Sequence, residues 1–120
     1  MRNWKIILIL VSILTLWMAN SYAETASWYG SGNKNEKLNE YTASGERFDP
    51  SKLACASWYY DFGQMLRVTN IETGKSIVVI CNDRGPNKRL GRAIDLSREA
   101  FRKLAPLEKG LIRVKIEGVE

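Results

Sequence analysis

After an apolar N-terminal segment, the chain breaks its hydrophobic residues into short runs separated by turn signals. That fragmentation is what most limits its possible folds. Thr25 to Tyr29 alternates and reads as a first strand. Leu53 to Ser57 is a short apolar segment, followed by the aromatic cluster Trp58-Tyr59-Tyr60. Met65 to Ile71 alternates, with Leu66 and Val68 on one side. Glu72-Thr73-Gly74-Lys75 then turns the chain into a partner strand from Ser76 to Cys81. Gly110 to Ile116 alternates again and reads as a last strand. One helical pattern interrupts the series. Ser97 is a suitable N-cap, Ala100, Phe101 and Leu104 recur at helical spacing, and Pro106 ends the helix. Gly30 to Asn39 and Thr42 to Gly45 are polar and read as loop and turn. Short strands with one helix predict a small barrel, because closure removes exposed sheet edges.

Two of the apolar runs end in acids. Val78, Val79 and Ile80 lead into Cys81-Asn82-Asp83, and Ala93 and Ile94 lead into Asp95. A carboxylate at the end of a buried strand stands on a rigid element at the edge of the core, where its environment can tune it for acid chemistry. Between the acids lies the cationic turn Arg84-Gly85-Pro86-Asn87-Lys88-Arg89. Paired acids with a basic rim suit a polar polymer such as a glycan. The structural alternative is a turn-capping Asp83 and an Asp95 that marks the start of the helix.

The N-terminus reads as a targeting signal. Met1-Arg2-Asn3-Trp4-Lys5 is a positive n-region, Ile6 to Met18 is apolar apart from Ser12 and Thr15, and Ser21-Tyr22-Ala23 supplies small residues at the positions a signal peptidase reads. The apolar run is short for a membrane span, which needs about 20 residues. Cleavage is expected after Ala23, giving an exported, periplasmic or envelope domain from Glu24 to Glu120. No Cys lies near that site, so no lipid anchor is indicated. Without Arg2 and Lys5 the 18 cationic side chains fall to 16 against 13 acidic ones, a net charge of +3. That is too weakly basic to argue for nucleic acid. The mature chain is expected to be a single domain and a monomer.

Cys55 and Cys81 are the only cysteines. In an oxidising compartment an even pair predicts one disulfide, which would stabilise by roughly 3 kcal/mol in the chain-entropy model. The chain has no His. Ser-His-Asp and Cys-His mechanisms are therefore excluded, and two Cys alone make an incomplete zinc shell. No metal and no cofactor are expected.

Five ordered motifs carry a resemblance. They are Ala26-Ser27-Trp28-Tyr29-Gly30, Thr42-Ala43-Ser44-Gly45-Glu46-Arg47-Phe48-Asp49, Leu66-Arg67-Val68-Thr69-Asn70, Asn82-Asp83-Arg84-Gly85-Pro86 and Gly91-Arg92-Ala93-Ile94-Asp95-Leu96-Ser97. Together they resemble the rare lipoprotein A family across nearly all of the mature chain. The resemblance implies a mainly β fold, a six-stranded double-psi β-barrel with one or two short helices. It also implies endolytic lytic transglycosylase activity on peptidoglycan glycan strands. Carried over residue by residue, its functional acids fall on Glu46, Asp49, Asp83 and Asp95. One position departs. The family's Ala-Ala-His stretch is Cys55-Ala56-Ser57 here, so Ser57 stands where that His is expected.

A lytic transglycosylase protonates the leaving glycosidic oxygen and closes an anhydro ring with the muramoyl 6-hydroxyl. One carboxyl can serve both steps, so the loss of His is survivable. Trp58, Ser57, Tyr29 and Arg84 are the candidate substrate contacts; Lys88 and Arg89 are further candidates for muramoyl carboxylates. Trp28, Trp58, Tyr59 and Tyr60 have the alternative of filling the barrel. Three classes follow: a transglycosylase, an expansin-like glycan binder that does not cut, and an inhibitor or adaptor using the barrel as scaffold. The four acids are expected to converge on one groove, with Ser57 and Trp58 on its wall.

Overall fold

The computed structural model describes residues 23–30 and 40–120. Residues 1–22 of the expected signal peptide and most of the loop expected from Gly30 to Asn39 lie outside the described residues. Six strands form the fold: β1 (Glu24–Tyr29), β2 (Ala54–Ala56), β3 (Met65–Asn70), β4 (Ser76–Asp83), β5 (Ile94–Ser97) and β6 (Ile112–Val119). They close into a barrel in the order β1-β5-β2-β4-β3-β6. Parallel pairs β1–β5 and β2–β4 are joined through antiparallel neighbours. This is the double-psi barrel that the motifs implied.

Alternation along the strands sorts the side chains. In β3, Leu66 and Val68 are fully buried while Met65 and Arg67 are exposed. In β6, Ile112 and Val114 are buried while Arg113 and Lys115 face solvent. The helix α1 (Arg98–Leu104) packs against β1, β4 and β5. Its Ala100, Phe101 and Leu104 are completely buried, as the spacing predicts. Trp28 belongs to this packing: its ring centroid lies 6.3 Å from that of Phe101, and its indole N–H donates to the Leu107 carbonyl at 3.1 Å. It therefore serves the core.

Strand limits differ from the sequence reading where the backbone changes partners. β4 runs on to Asp83, since β2 pairs with it there. β5 begins only at Ile94, while Ala93 just before it donates its N–H to the Thr25 carbonyl.

Cys55 and Cys81, expected to form a disulfide, are register partners on the parallel β2–β4 pair, both completely buried and both free thiols in this structure. The thiols hydrogen-bond instead, which together with burial pushes Cys55 up and, helped by the Arg84 guanidinium, holds Cys81 below the ordinary thiol range.

Ser97 is the polar hub that ties the helix to the barrel. It is completely buried. Its hydroxyl donates to the Lys52 carbonyl at 2.5 Å and accepts from the N–H groups of Ala54 and Ala100, both at 3.4 Å. At the other end of α1, Asn70 donates from its side-chain amide to the Leu104 carbonyl at 2.9 Å, satisfying a last-turn acceptor. Ser97→Ala removes the cap of α1 and one of the two partners of the Lys52 carbonyl and of the Ala54 N–H, which keep only their bond to each other. The expected loss is about 0.5–2 kcal/mol of unfolding free energy, measured by urea denaturation.

Candidate active site

The site is organised around Ala56, in the shortest strand of the barrel. Ala56 is in register with Asp95 on β5 and with Asp83 on β4. A register shift makes this possible. Cys55 pairs with Cys81, but the next residue, Ala56, pairs with Asp83, so Asn82 is an extra residue bulged out of the β4 ladder. The acids thus flank one alanine from two neighbouring strands. Their backbones are two strand spacings apart, roughly 10 Å.

Each acid is held by a different set of donors. Asp83 Oδ1 accepts two backbone N–H bonds, from Ala43 and Arg84, each at 2.9 Å. The Thr42–Gly45 turn docks beside it: Ser44 N–H donates to the Asn82 carbonyl at 3.1 Å, and Thr42 and Ser44 hydroxyls are 2.8 Å apart. Asp95 Oδ1 accepts from the Ser27 hydroxyl and lies 3.8 Å from the Arg92 guanidinium. Ser27 is also the β1 register partner of Asp95.

Tyr29 feels the charge of both acids. Its burial pushes the phenol well above the ordinary tyrosine range, and the negative charges of Cys55, Asp83, Asp95 and Cys81 push it the same way. The hydroxyl therefore sits within electrostatic reach of both carboxylates and stays protonated. The Tyr29 ring packs on Phe48 with centroids 5.6 Å apart. Gly30 follows at φ 87°, where a Cβ would come within 3.2 Å of both Phe48 and Pro50. That close approach fastens the end of β1 to the Glu46-to-Pro50 segment.

Glu46 and Asp49 line a neighbouring hollow of about 430 Å³ with Arg47, Phe48 and Lys52. Glu46 pairs with Lys52 at 3.1 Å. Asp49 accepts from the hydroxyl and backbone N–H of Ser51, at 2.6 and 2.9 Å, which holds its carboxyl below the usual range. Arg47 pairs with Glu40 at 2.6 Å.

Ser57 is completely buried and does not line a groove. Its hydroxyl donates to the Ala93 carbonyl at 3.0 Å and accepts from Tyr59 N–H at 3.2 Å. Arg84 is also engaged internally. Its guanidinium donates to the carbonyls of Ser57 and Tyr60, both at 2.8 Å, and its carbon lies 3.8 Å from the Phe62 ring centroid. Both residues are clamps beneath the site. Trp58 is 45% exposed, donates to the Pro86 carbonyl at 2.7 Å and carries Lys88 Nζ 5.0 Å from its ring centroid. Ser27 and Arg92 were missed as site residues. Their signal was present in the motifs: Ser27 opens Ser-Trp-Tyr-Gly, and Arg92 stands three residues before Asp95.

The family model described as lytic transglycolase matches residues 21–116. A Nostoc sp. protein named "Probable endolytic peptidoglycan transglycosylase RlpA" is 44% identical over 97 residues, covering 81% of this chain and 25% of its own length. A Pseudomonas aeruginosa protein named "Endolytic peptidoglycan transglycosylase RlpA" is 42% identical over 96 residues, covering 80% of this chain and 27% of its own. The chain thus spans about a quarter of the length of these relatives. Among solved structures, a Streptomyces papain inhibitor matches with TM-score 0.58 and 26% identity, over 79% of this chain and 92% of the inhibitor. A Clavibacter michiganensis expansin variant in complex with cellohexaose matches with TM-score 0.62 and 24% identity, over 82% and 50% of the two chains.

The Tyr29 phenol generates a pH prediction. Its proton is held more tightly folded than unfolded, so its stability contribution is complete below pH about 10 and lost above it. The denaturant midpoint should fall as pH rises through that value, and Tyr29→Phe should flatten the fall.

Proposed function

Because the chain belongs to the lytic transglycolase family, we propose that it is an endolytic peptidoglycan lytic transglycosylase. It cleaves the MurNAc–GlcNAc bond of glycan strands and leaves 1,6-anhydromuramoyl ends. The observation that carries the reading is the placement of Asp83 and Asp95 on either side of Ala56, each oriented by its own donors.

In this reading the glycan lies across Ala56 with the scissile bond between the acids. The bond from muramoyl C1 to the GlcNAc oxygen breaks, and a bond from C1 to the muramoyl 6-oxygen forms. The net proton transfer runs from the 6-hydroxyl to the leaving oxygen. Asp83 has no cation in ion-pair range among the described residues, and it handles the proton. Asp95, steadied by Ser27 and Arg92, faces the positive charge that develops at C1. The Tyr29 hydroxyl stays protonated throughout, within electrostatic reach of both acids. Glu46 and Asp49 shape the adjoining hollow and steady the strand away from the reacting bond.

The n-region, apolar run and Ser21-Tyr22-Ala23 support export, with cleavage after Ala23 and action in the periplasm or cell envelope by the barrel at 24–120. Export also supports oxidation of the Cys55–Cys81 thiol pair, which is already in contact.

A second reading has one observation behind it. Ser57 replaces the expected His and is buried with its hydroxyl fully used. That favours a barrel that binds glycan without cutting it.

Digestion of purified sacculi and naked glycan, followed by mass spectrometry for anhydromuramoyl ends, separates the two. Asp83→Asn and Asp95→Asn should each lower their formation by about 10²–10⁴-fold, with the melting temperature preserved. Glu46→Gln and Asp49→Asn should cost only a few-fold, about 1 kcal/mol or less. Binding to sacculi with no anhydro ends from wild type would replace the enzyme by the binder.

A further inference from the structure

Two neighbouring loops hold apolar side chains out in solvent. One, after β2, exposes Trp58 and Tyr59, the latter at 67%. The other, after β4, exposes Leu90 at 56%, at the end of a short 3-10 turn (Lys88–Leu90). The loops are fastened to each other. The Trp58 indole N–H donates to the Pro86 carbonyl at 2.7 Å, and Lys88 Nζ lies 5.0 Å from the Trp58 ring centroid. Tyr59 lines a hollow of about 380 Å³ together with Glu24, Gly91 and Arg92. The turn carrying Leu90 is itself fixed. The Asn87 side chain accepts from the Arg89 N–H at 3.0 Å, and Gly91 closes the turn at φ 68°. Large apolar side chains grouped in this way on the outside of a barrel mark a contact surface.

The same surface is cationic. Arg84, Lys88, Arg89 and Arg92 fall within residues 84–92, which contain no acid. Arg84 is spent on carbonyls and Arg92 stands beside Asp95. Lys88 and Arg89 are exposed and form no ion pair with any described residue. Asp61 is the one acid in the facing segment 57–63.

The combination selects the partner. A sugar strand could use the faces of Trp58 and Tyr59, but a branched aliphatic side chain held beside Arg89 offers it nothing. A dissolved acidic polymer would meet Lys88 and Arg89 and leave Leu90 in water. An apolar protein face would cover Leu90 and the rings and strip water from two unpaired cations. An anionic bilayer uses every group. Its phosphates meet Lys88 and Arg89, the amphipathic rings lie at headgroup depth, and Leu90 reaches the acyl boundary. We propose that the loops carrying Trp58, Tyr59, Lys88, Arg89 and Leu90 are a docking surface for an anionic phospholipid bilayer. Attachment is peripheral and reversible, because one inserted Leu and two cations fall far short of a spanning segment. The inference goes beyond the glycan reading and does not depend on it.

The test is vesicle flotation of protein purified after export, in the form beginning at Glu24, which contains all six strands. One set of vesicles is made of phosphatidylglycerol and phosphatidylethanolamine in equal parts, the other of phosphatidylcholine alone. Wild type should bind the anionic set roughly 10-fold more strongly, and about 1 M salt should remove most of that difference. Lys88→Gln and Arg89→Gln should each weaken anionic binding about 5-fold. Leu90→Gln should weaken it about 5-fold as well, at an unchanged melting temperature. The Leu90 variant should still bind sacculi as wild type does. Equal binding to the two sets, or undiminished anionic binding in folded Leu90→Gln or Arg89→Gln, would overturn the proposal. So would a Leu90→Gln variant that loses sacculus binding to the same degree, since the loop would then belong to the glycan. Failure of wild type to form anhydro ends removes the catalytic reading and leaves the vesicle result as it stands.

Discussion

Everything in this structure depends on the double pairing of β2. The strand is three residues long, yet it runs parallel to β4 on one edge and antiparallel to β5 on the other. A strand so short has little stability of its own and is fixed by neighbours that saturate both edges. In return it sets the distance between the two acids, because Ala56 is the common register partner of Asp83 and Asp95. The bulge at Asn82 brings Asp83 level with that position. A one-residue slip on either edge would misalign the pair.

The polar groups around β2 act as braces. Ser57 holds the Ala93 carbonyl and so anchors the approach to β5. Arg84 gathers the Ser57 and Tyr60 carbonyls beneath the exposed aromatic segment that carries Trp58 and Tyr59. Ser97 pins Lys52 and Ala54, on the entry side of β2, to the start of α1. Each brace satisfies backbone groups that the short strand and its loops leave without ladder partners. The residues on which a sequence reading builds a binding site are partly consumed in this support. The groups left facing the hollows are others: Tyr59, Arg92 and Glu24 on one side, Glu46 and Asp49 on the other.

Proximity to the thiol pair gives the site an unusual floor. Cys55 and Cys81 lie one residue before Ala56 and two before Asp83, and both add to the field on Tyr29. Burial first, and these charges in addition, keep the phenol protonated beside the acids.

What the sequence determined by itself was the pattern of elements and the identity of the motifs. Alternation at Leu66 and Val68, the turn at Glu72 to Lys75 and the cap at Ser97 are local signals, set by backbone sterics and side-chain periodicity, and the barrel obeys them. The strand-end positions of Asp83 and Asp95 were legible for the same reason. Their mutual placement was not, since it arises from the Asn82 bulge and from pairing between strands distant in the chain. The sequence placed Glu46 and Asp49 together in one motif. Only the tertiary structure showed that Lys52 and Ser51 engage these side chains within their own loop. The fates of Ser57, Arg84 and the cysteines were decided there too. Whether a polar side chain meets a ligand or a neighbouring carbonyl depends on what packs above it, and only the closed barrel supplies that neighbour.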